Sequence, residues 1–197
     1  PQFELGCGCL SSLTKLIEVR KKEFNEISYI LLDQFYEDYK VGRLDLKKID
    51  AEVVLVDTSS EPTTEQVDLL SKKSKDYLKD LNCNFIGIGG GSVLDITKAV
   101  ANLHNNPGKS EDYQGWDLVK NPAPFKVGVP TISGTGAEAS ATCVLMNKKK
   151  SLKLGMNSKF SIYDYLLLDP DLIKSVPKDL YFFNTCDAYF HAMESLN

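Results

Sequence analysis

The sequence predicts an α/β domain built on a parallel sheet, followed by the opening of a helical domain. Three observations predict it: short apolar runs that end in an acid or in glycines, helical periodicities between those runs, and a change of composition at Asp169-Pro170. The first run, Ile27 to Asp33 (ISYILLD), is continuous rather than alternating, as a strand covered on both faces would be. The second, Ala51 to Asp57 (AEVVLVD), ends at the polar segment TSSEPT. From Thr64 to Leu81 the pattern turns helical, with Val67, Leu70, Ser74 and Leu78 spaced by three or four. A third strand, Asn84 to Gly87, runs into glycines, and Val93 to Leu103 resumes helical spacing through Ile96, Val100 and Leu103. Strands alternating with helices in this order specify parallel architecture with helices on both sheet faces.

Asn105 through Pro124 is irregular, and a stretch of that length in a compact domain is more often a functional loop than filler. Lys126 to Val129 supplies another strand, and Leu152 to Gly155 and Tyr165 to Leu168 supply further short strands or a hairpin. Residues 1–168 are therefore expected to form the α/β domain, and residues 169–197 to begin a helical one. The helix expected from Leu180 to Leu196 cannot bury its apolar stripe alone, so the helical domain is expected to be truncated here.

The charge balance of 23 basic and 27 acidic residues gives a net charge of -4 and no basic block, which argues against nucleic-acid binding. The triplet Lys148, Lys149 and Lys150 reads as a solvated turn. No apolar run approaches the roughly 18 residues of a membrane span, and no secretory signal is visible. Five cysteines, in neither a paired framework nor a CxxC knuckle, fit a reducing cytoplasm.

Gly89, Gly90, Gly91 and Ser92 follow a strand and open a helix. That setting permits close backbone approach and leaves helix N-terminal amides for an anion. Ser92 is placed to cap the helix or to donate to a phosphate; Asp95 lies in the first turn and Lys98 one turn later. The pattern is neither a Walker loop nor GxGxxG, and a purely structural glycine turn is the alternative. Pro130 to Glu138 (PTISGTGAE) is a second hydroxyl-rich turn after a strand, readable as a ligand loop or as a capped helix entrance. Both turns fall at carboxyl ends of strands, where open α/β sheets bind ligands, and a diphosphate-containing cofactor is the natural occupant.

Asp187 and His191 are four apart on the last helix, so one face carries both within reach of one ion; a helical Asp–His hydrogen bond is the alternative. Two ligands are too few for a protein-held catalytic metal. His104, the other histidine, is expected to face solvent or to lie beside the cofactor.

Four segments together carry a resemblance. GGGSVLDITKAVA at 89–101, PTISGTGAE at 130–138, LLDPDLIKSVP at 167–177 and DAYFH at 187–191 resemble, in order, signatures of the iron-containing alcohol dehydrogenase family. The resemblance implies an N-terminal dinucleotide-binding domain, a C-terminal all-helical domain, and a metal and substrate in the cleft between them. It implies NAD or NADP bound by Gly89, Gly90, Gly91, Ser92, Asp95, Lys98, Thr131 and Thr135, with Asp33 as the acid that favours NAD. Asp187 and His191 match two of four ligands to iron or zinc, the other two being histidines further along. A narrower resemblance, carried by residues 106–122 (NPGKSEDYQGWDLVKNP) and 152–158 (LKLGMNS), is to the branch that oxidises the terminal hydroxyl of 3-deoxy-D-manno-octulosonate. It puts Tyr113, Gln114 and Trp116 forward as cofactor or sugar contacts, or as locks on the long loop. The expected partner is a small acidic sugar or polyol, with a homo-oligomer compatible. The rivals are a dehydrogenase of glycerol or another polyol, and an inactive nucleotide-binding assembly module.

Overall fold

The computed structural model describes residues 1–196. Its frame is a six-stranded sheet in which all neighbours are parallel. In chain order the elements begin with β1 (Gln2–Leu5), α1 (Ser12–Phe24), β2 (Ile27–Asp33), and the short hairpin β3 (Lys40–Val41) and β4 (Leu44–Asp45). There follow β5 (Glu52–Val56), α2 (Thr64–Leu78), β6 (Cys83–Gly89) and α3 (Gly91–Asn105). The remainder is β7 (Gly115–Trp116), β8 (Phe125–Pro130), β9 (Thr142–Asn147), β10 (Leu152–Asn157), β11 (Tyr165–Leu168) and α4 (Lys178–Glu194).

The sheet order is β1-β11-β8-β6-β2-β5. From β2 the chain first moves outward to β5, then α2 carries it back across to β6. The order therefore reverses between β2 and β6, and the crevice at a reversal is where parallel sheets accept ligands.

The apolar runs are continuous because both sheet faces are covered. On β2, Tyr29 and Leu31 pack with Phe85 of β6 beneath Val67 and Leu70 of α2 and Val93 and Ile96 of α3. The alternate residues Ile30 and Leu32 point the other way, with Ile86 and Ile88, against Leu10, Leu13 and Ile17 at α1. β6 has all seven residues buried.

Several expectations are corrected. α1 was not anticipated: SLTKLIEVRKKEF carries only Leu13 and Ile17 as fully buried residues, too thin a stripe to announce a helix. α2 stops at Leu78 rather than Leu81, because Lys79 turns to φ 51° and closes the helix through its N–H to the Lys75 carbonyl. The turn after β8 is no helix entrance; it runs through bends into β9. β10 pairs antiparallel with β9, whereas β11 joins the parallel sheet, so these two segments do not form a hairpin with one another. The segment from Asn105 to Pro124 includes a 3-10 turn, Ser110–Tyr113, and β7, which pairs with β10. The last helix begins at Lys178 and has no buried residue, with Phe182, Phe183 and Phe190 each more than 60% exposed.

Candidate active site

A cleft of ≈ 420 Å³ opens at the carboxyl ends of β2, β6 and β8. Asp33, Gly90, Gly91, Ser92, Thr131 and Thr135 line it from the sheet side, and Val176, Pro177, Leu180 and Asn184 line it from the start of α4. The two glycine-containing turns are tied together at their roots, where the Thr131 N–H donates to the Gly89 carbonyl at 3.0 Å.

Closeness, rather than unusual dihedral angles, requires the glycines. A Cβ on Gly89 would lie 2.7 Å from Val93 Cγ2, one on Gly90 3.1 Å from Ile132, and one on Gly91 2.6 Å from Thr135 Oγ1. Gly90 has φ -77° and ψ -173°, backbone that any residue adopts. The first intrahelical bond of α3 runs from Leu94 N to Gly90 O, and no side chain caps the helix. Ser92 is therefore not the cap; Gly90 is. The uncapped first turn presents backbone N–H groups and the positive end of the helix dipole at the cleft.

At the end of β2, the Asp33 carboxylate accepts hydrogen bonds from Phe35 N (3.0 Å) and Thr58 Oγ1 (2.9 Å), both on Oδ1. Phe35 and Tyr36 also line the cleft, their rings edge to face at 5.1 Å. Burial raises the Tyr36 hydroxyl above its ordinary pKa, opposed by a hydrogen bond with Thr131. Sequence reasoning missed Phe35, Tyr36, Thr58, Ile132 and Asn184. The two aromatics immediately after the strand-ending acid were a usable signal; Asn184, brought in from α4, left none.

Not every expected residue reaches the cleft. Gly89 sits beneath it, packed between Val93 and Asp33. Asp95 and Lys98 do not line it: their side chains are 15% and 0% exposed, paired at 3.0 Å, and directed to β9. Tyr113 spends its hydroxyl within the loop, and Gln114 fastens the loop to β9 and β10. The Tyr113 hydroxyl donates to the Pro107 carbonyl, and Gln114 Nε2 donates to Leu145 O (3.0 Å) and Leu154 O (3.3 Å). Trp116 is 80% exposed, and none of the three lines the cleft.

His104 is neither solvent-facing nor beside the glycine turn. It lies at the far end of α3, half-buried, with Nε2 3.5 Å from Cys83 Sγ and its ring against Phe85. Burial there lowers the imidazole pKa and pushes the Cys83 thiol up to about 12, as it does for Cys143, which makes both thiols poor nucleophiles.

α4 rests on the second turn: a Cβ on Gly134 would meet Asn184 Oδ1 at 2.7 Å and its backbone oxygen at 2.8 Å. Asp187 and His191 stand three and seven residues further along, on the same helical face as Asn184. Their side chains approach to 3.6 Å and are 44% and 62% exposed. Carboxylate oxygen and imidazole nitrogen suit a divalent transition metal. Among the described residues, however, no group of three or more histidine, cysteine, aspartate or glutamate side chains is assembled to hold one. The pair by itself offers two donors.

The family profile described as iron-containing alcohol dehydrogenase matches residues 1–170, from β1 through both glycine turns. The chain belongs to the iron-containing alcohol dehydrogenase family. Within it, the chain is 36% identical over 135 residues to a sulfoacetaldehyde reductase of Bilophila wadsworthia, covering 68% of this chain and 34% of that protein. It is 26% identical over 197 residues to an NAD-dependent methanol dehydrogenase of Bacillus methanolicus, covering 99% and 51%. An alcohol dehydrogenase structure from Oenococcus oeni superposes with a TM-score of 0.83 at 26% identity, covering 98% of this chain and 50% of that one. A sulfoacetaldehyde reductase from Bifidobacterium kashiwanohense, solved with NAD+, shares the fold at a TM-score of 0.77 and 22% identity, covering 94% and 49%. The chain spans about half the length of these iron-containing alcohol dehydrogenase relatives, or less. No helix among the described residues is long and apolar enough to cross a membrane.

Proposed function

We propose that this chain is the cofactor-binding part of an NAD-linked oxidoreductase that interconverts a small alcohol or polyol with its carbonyl compound. One observation carries the reading. Gly90, Gly91 and Ser92 at an uncapped helix start, Thr131 and Thr135 on the facing turn, and Asp33 at the end of β2 line a single cleft at the switch point of the sheet. Uncapped N–H groups at a helix start hold a pyrophosphate, and the glycines let it come close. The threonine hydroxyls suit ribose or nicotinamide amide groups. Asp33, with both of its hydrogen bonds on Oδ1, offers its other oxygen to ribose hydroxyls and repels a 2′-phosphate.

The bound nicotinamide supplies hydride chemistry. The protein's part is to fix the dinucleotide along the turns and to leave the substrate space toward α4. Asp187 and His191 would hold a divalent metal, iron or zinc, together with donors from elsewhere in the protein, and the ion would supply a Lewis acid to the substrate oxygen.

The narrower substrate, the terminal hydroxyl of 3-deoxy-D-manno-octulosonate, rests on the 106–122 loop. Tyr113 and Gln114 are engaged in holding that loop, and the relatives described above are named for sulfoacetaldehyde and methanol, so the general alcohol reading leads. The test is a titration of the purified protein with NADH and NADPH by fluorescence. It is followed by an alcohol and polyol panel including the octulosonate, with NAD reduction and oxygen uptake read separately. Preferential NADH binding and reduction of NAD by small alcohols are expected. No binding of either dinucleotide ends the proposal, and binding with no turnover on any substrate favours an assembly module instead.

A further inference from the structure

We infer that Lys98 is a positioning residue for the cofactor loop, acting through Ser140 and Ala137 on Thr135. The inference rests on the cofactor reading of the cleft and goes beyond it, because Lys98 itself is fully buried and lies away from the cleft lining.

An ammonium group has three donors and no acceptor, and here it is held by two hydrogen bonds and an ion pair. Lys98 Nζ donates to the Thr142 carbonyl and to Ser140 Oγ at 3.1 Å, and forms an ion pair with Asp95 Oδ1 at 3.0 Å. The other oxygen of Asp95 accepts the Val144 N–H at 2.9 Å. One side of α3 thus grips residues 140–144, the point where the chain leaves the second glycine turn and enters β9.

The grip continues back toward the cleft. The Ser140 hydroxyl, its oxygen accepting from Lys98, has two carbonyls in reach of its proton, Thr142 at 3.2 Å and Ala137 at 3.4 Å, and so links the start of β9 to the turn. The Ala137 N–H in turn meets Thr135 Oγ1 at 3.3 Å. Thr135 then lies directly over Gly91 at the start of α3, in the cleft. The other end of the turn is pinned by Thr131 N to Gly89 O. Residues 132–139 bridge two anchors without regular secondary structure, so their geometry over the cleft depends on both anchors. Burying an ammonium with a carboxylate is costly and would be a poor way simply to hold a core together. An anchor with two directed bonds and an ion pair, by contrast, sets where a loop ends.

The test is NADH affinity measured by fluorescence titration, with thermal melting in parallel. Lys98→Met leaves Asp95 buried without its partner and is the variant at risk of misfolding. Ser140→Ala removes the Ser140 acceptor of Lys98 together with the hydroxyl's links to Thr142 and Ala137, and leaves the Lys98–Asp95 pair in place; Ser140→Thr keeps the hydroxyl. Expected are an NADH Kd raised about fivefold in Ser140→Ala, the size set by one lost hydrogen bond, with the variant still folded at the titration temperature, and near wild-type affinity in Ser140→Thr. Normal wild-type binding with equal affinity in Ser140→Ala overturns the relay alone. So does equal weakening in Ser140→Ala and Ser140→Thr. A wild-type protein that does not bind NADH overturns the cofactor reading, and the relay with it.

Discussion

Replacing Gly91 by alanine tests the cleft at its narrowest point. The new methyl would sit 2.6 Å from Thr135 Oγ1, 3.0 Å from its Cγ2 and 3.2 Å from its Cβ. Three atoms of one side chain, including Cβ, crowd the same position, so rotation about χ1 exchanges one overlap for another. Either Thr135 and its turn move outward or the first turn of α3 does. Overpacking of this kind costs about 1–3 kcal/mol. Because the displaced groups line the cleft, returning them to their positions must be part of binding, so dinucleotide affinity falls by about tenfold to a hundredfold. The helix itself is not weakened, since alanine is the better helix former. The assay is NADH titration by fluorescence on Gly91→Ala, on Thr135→Ala and on the double variant, with melting curves as controls. The single glycine variant should bind weakly, and adding Thr135→Ala should recover a large part of the loss. Gly91→Ala binding NADH within about twofold of wild type, at unchanged stability, would refute the claim that the two turns close on the ligand here.

Other perturbations address the neighbouring residues. Asp33→Gly should raise affinity for NADPH relative to NADH by about tenfold or more, by removing a carboxylate from the ribose end; fluorescence titration with both cofactors checks it, and an unchanged ratio counts against Asp33 as the selector. His191→Ala and Asp187→Ala should each weaken retention of divalent metal by about tenfold or more while leaving melting nearly unchanged, because both side chains are exposed; metal analysis after dialysis decides it. Glu4 is held below its ordinary pKa of 4.5 by hydrogen bonds from Tyr165 and then Ser12, which favour the charged form. Its contribution is present in full above that ordinary value and is lost as pH falls through the lowered one, so acid unfolding profiles of Glu4→Gln should be flatter than wild type below about pH 4.5.

The parts of the fold that were legible beforehand share a physical trait: their signal is local. ISYILLD reads as a strand buried on both faces because every residue in it is apolar or small up to its final acid, and the structure buries Tyr29 to Leu32. The glycine turn announces itself because close approach leaves no room for a side chain at Gly89 and Gly91 and little at Gly90. α1 stayed hidden because its buried residues are few and most of its surface is charged, so the helix depends on docking against Ile30 and Leu32. β9 stayed hidden because TCVLMN carries little turn punctuation and owes its pairing to β10, with its start anchored by Asp95.

Sequence alone was enough for the strand and helix alternation, for the two turns that belong at strand ends, and for the acid and imidazole one helical turn apart, since each is written in the spacing of near neighbours. Folding in three dimensions settled which of those residues share a cleft. Asp33, Gly91 and Thr135 arrive from strands β2, β6 and β8, which the crossover brings side by side. Lys98, close to the glycines along the chain, is turned into the interior because α3 beyond its first two residues is buried on nearly every side. Distance along a chain sets periodicity, whereas proximity across a sheet depends on strand order and packing, which no single stretch of residues contains.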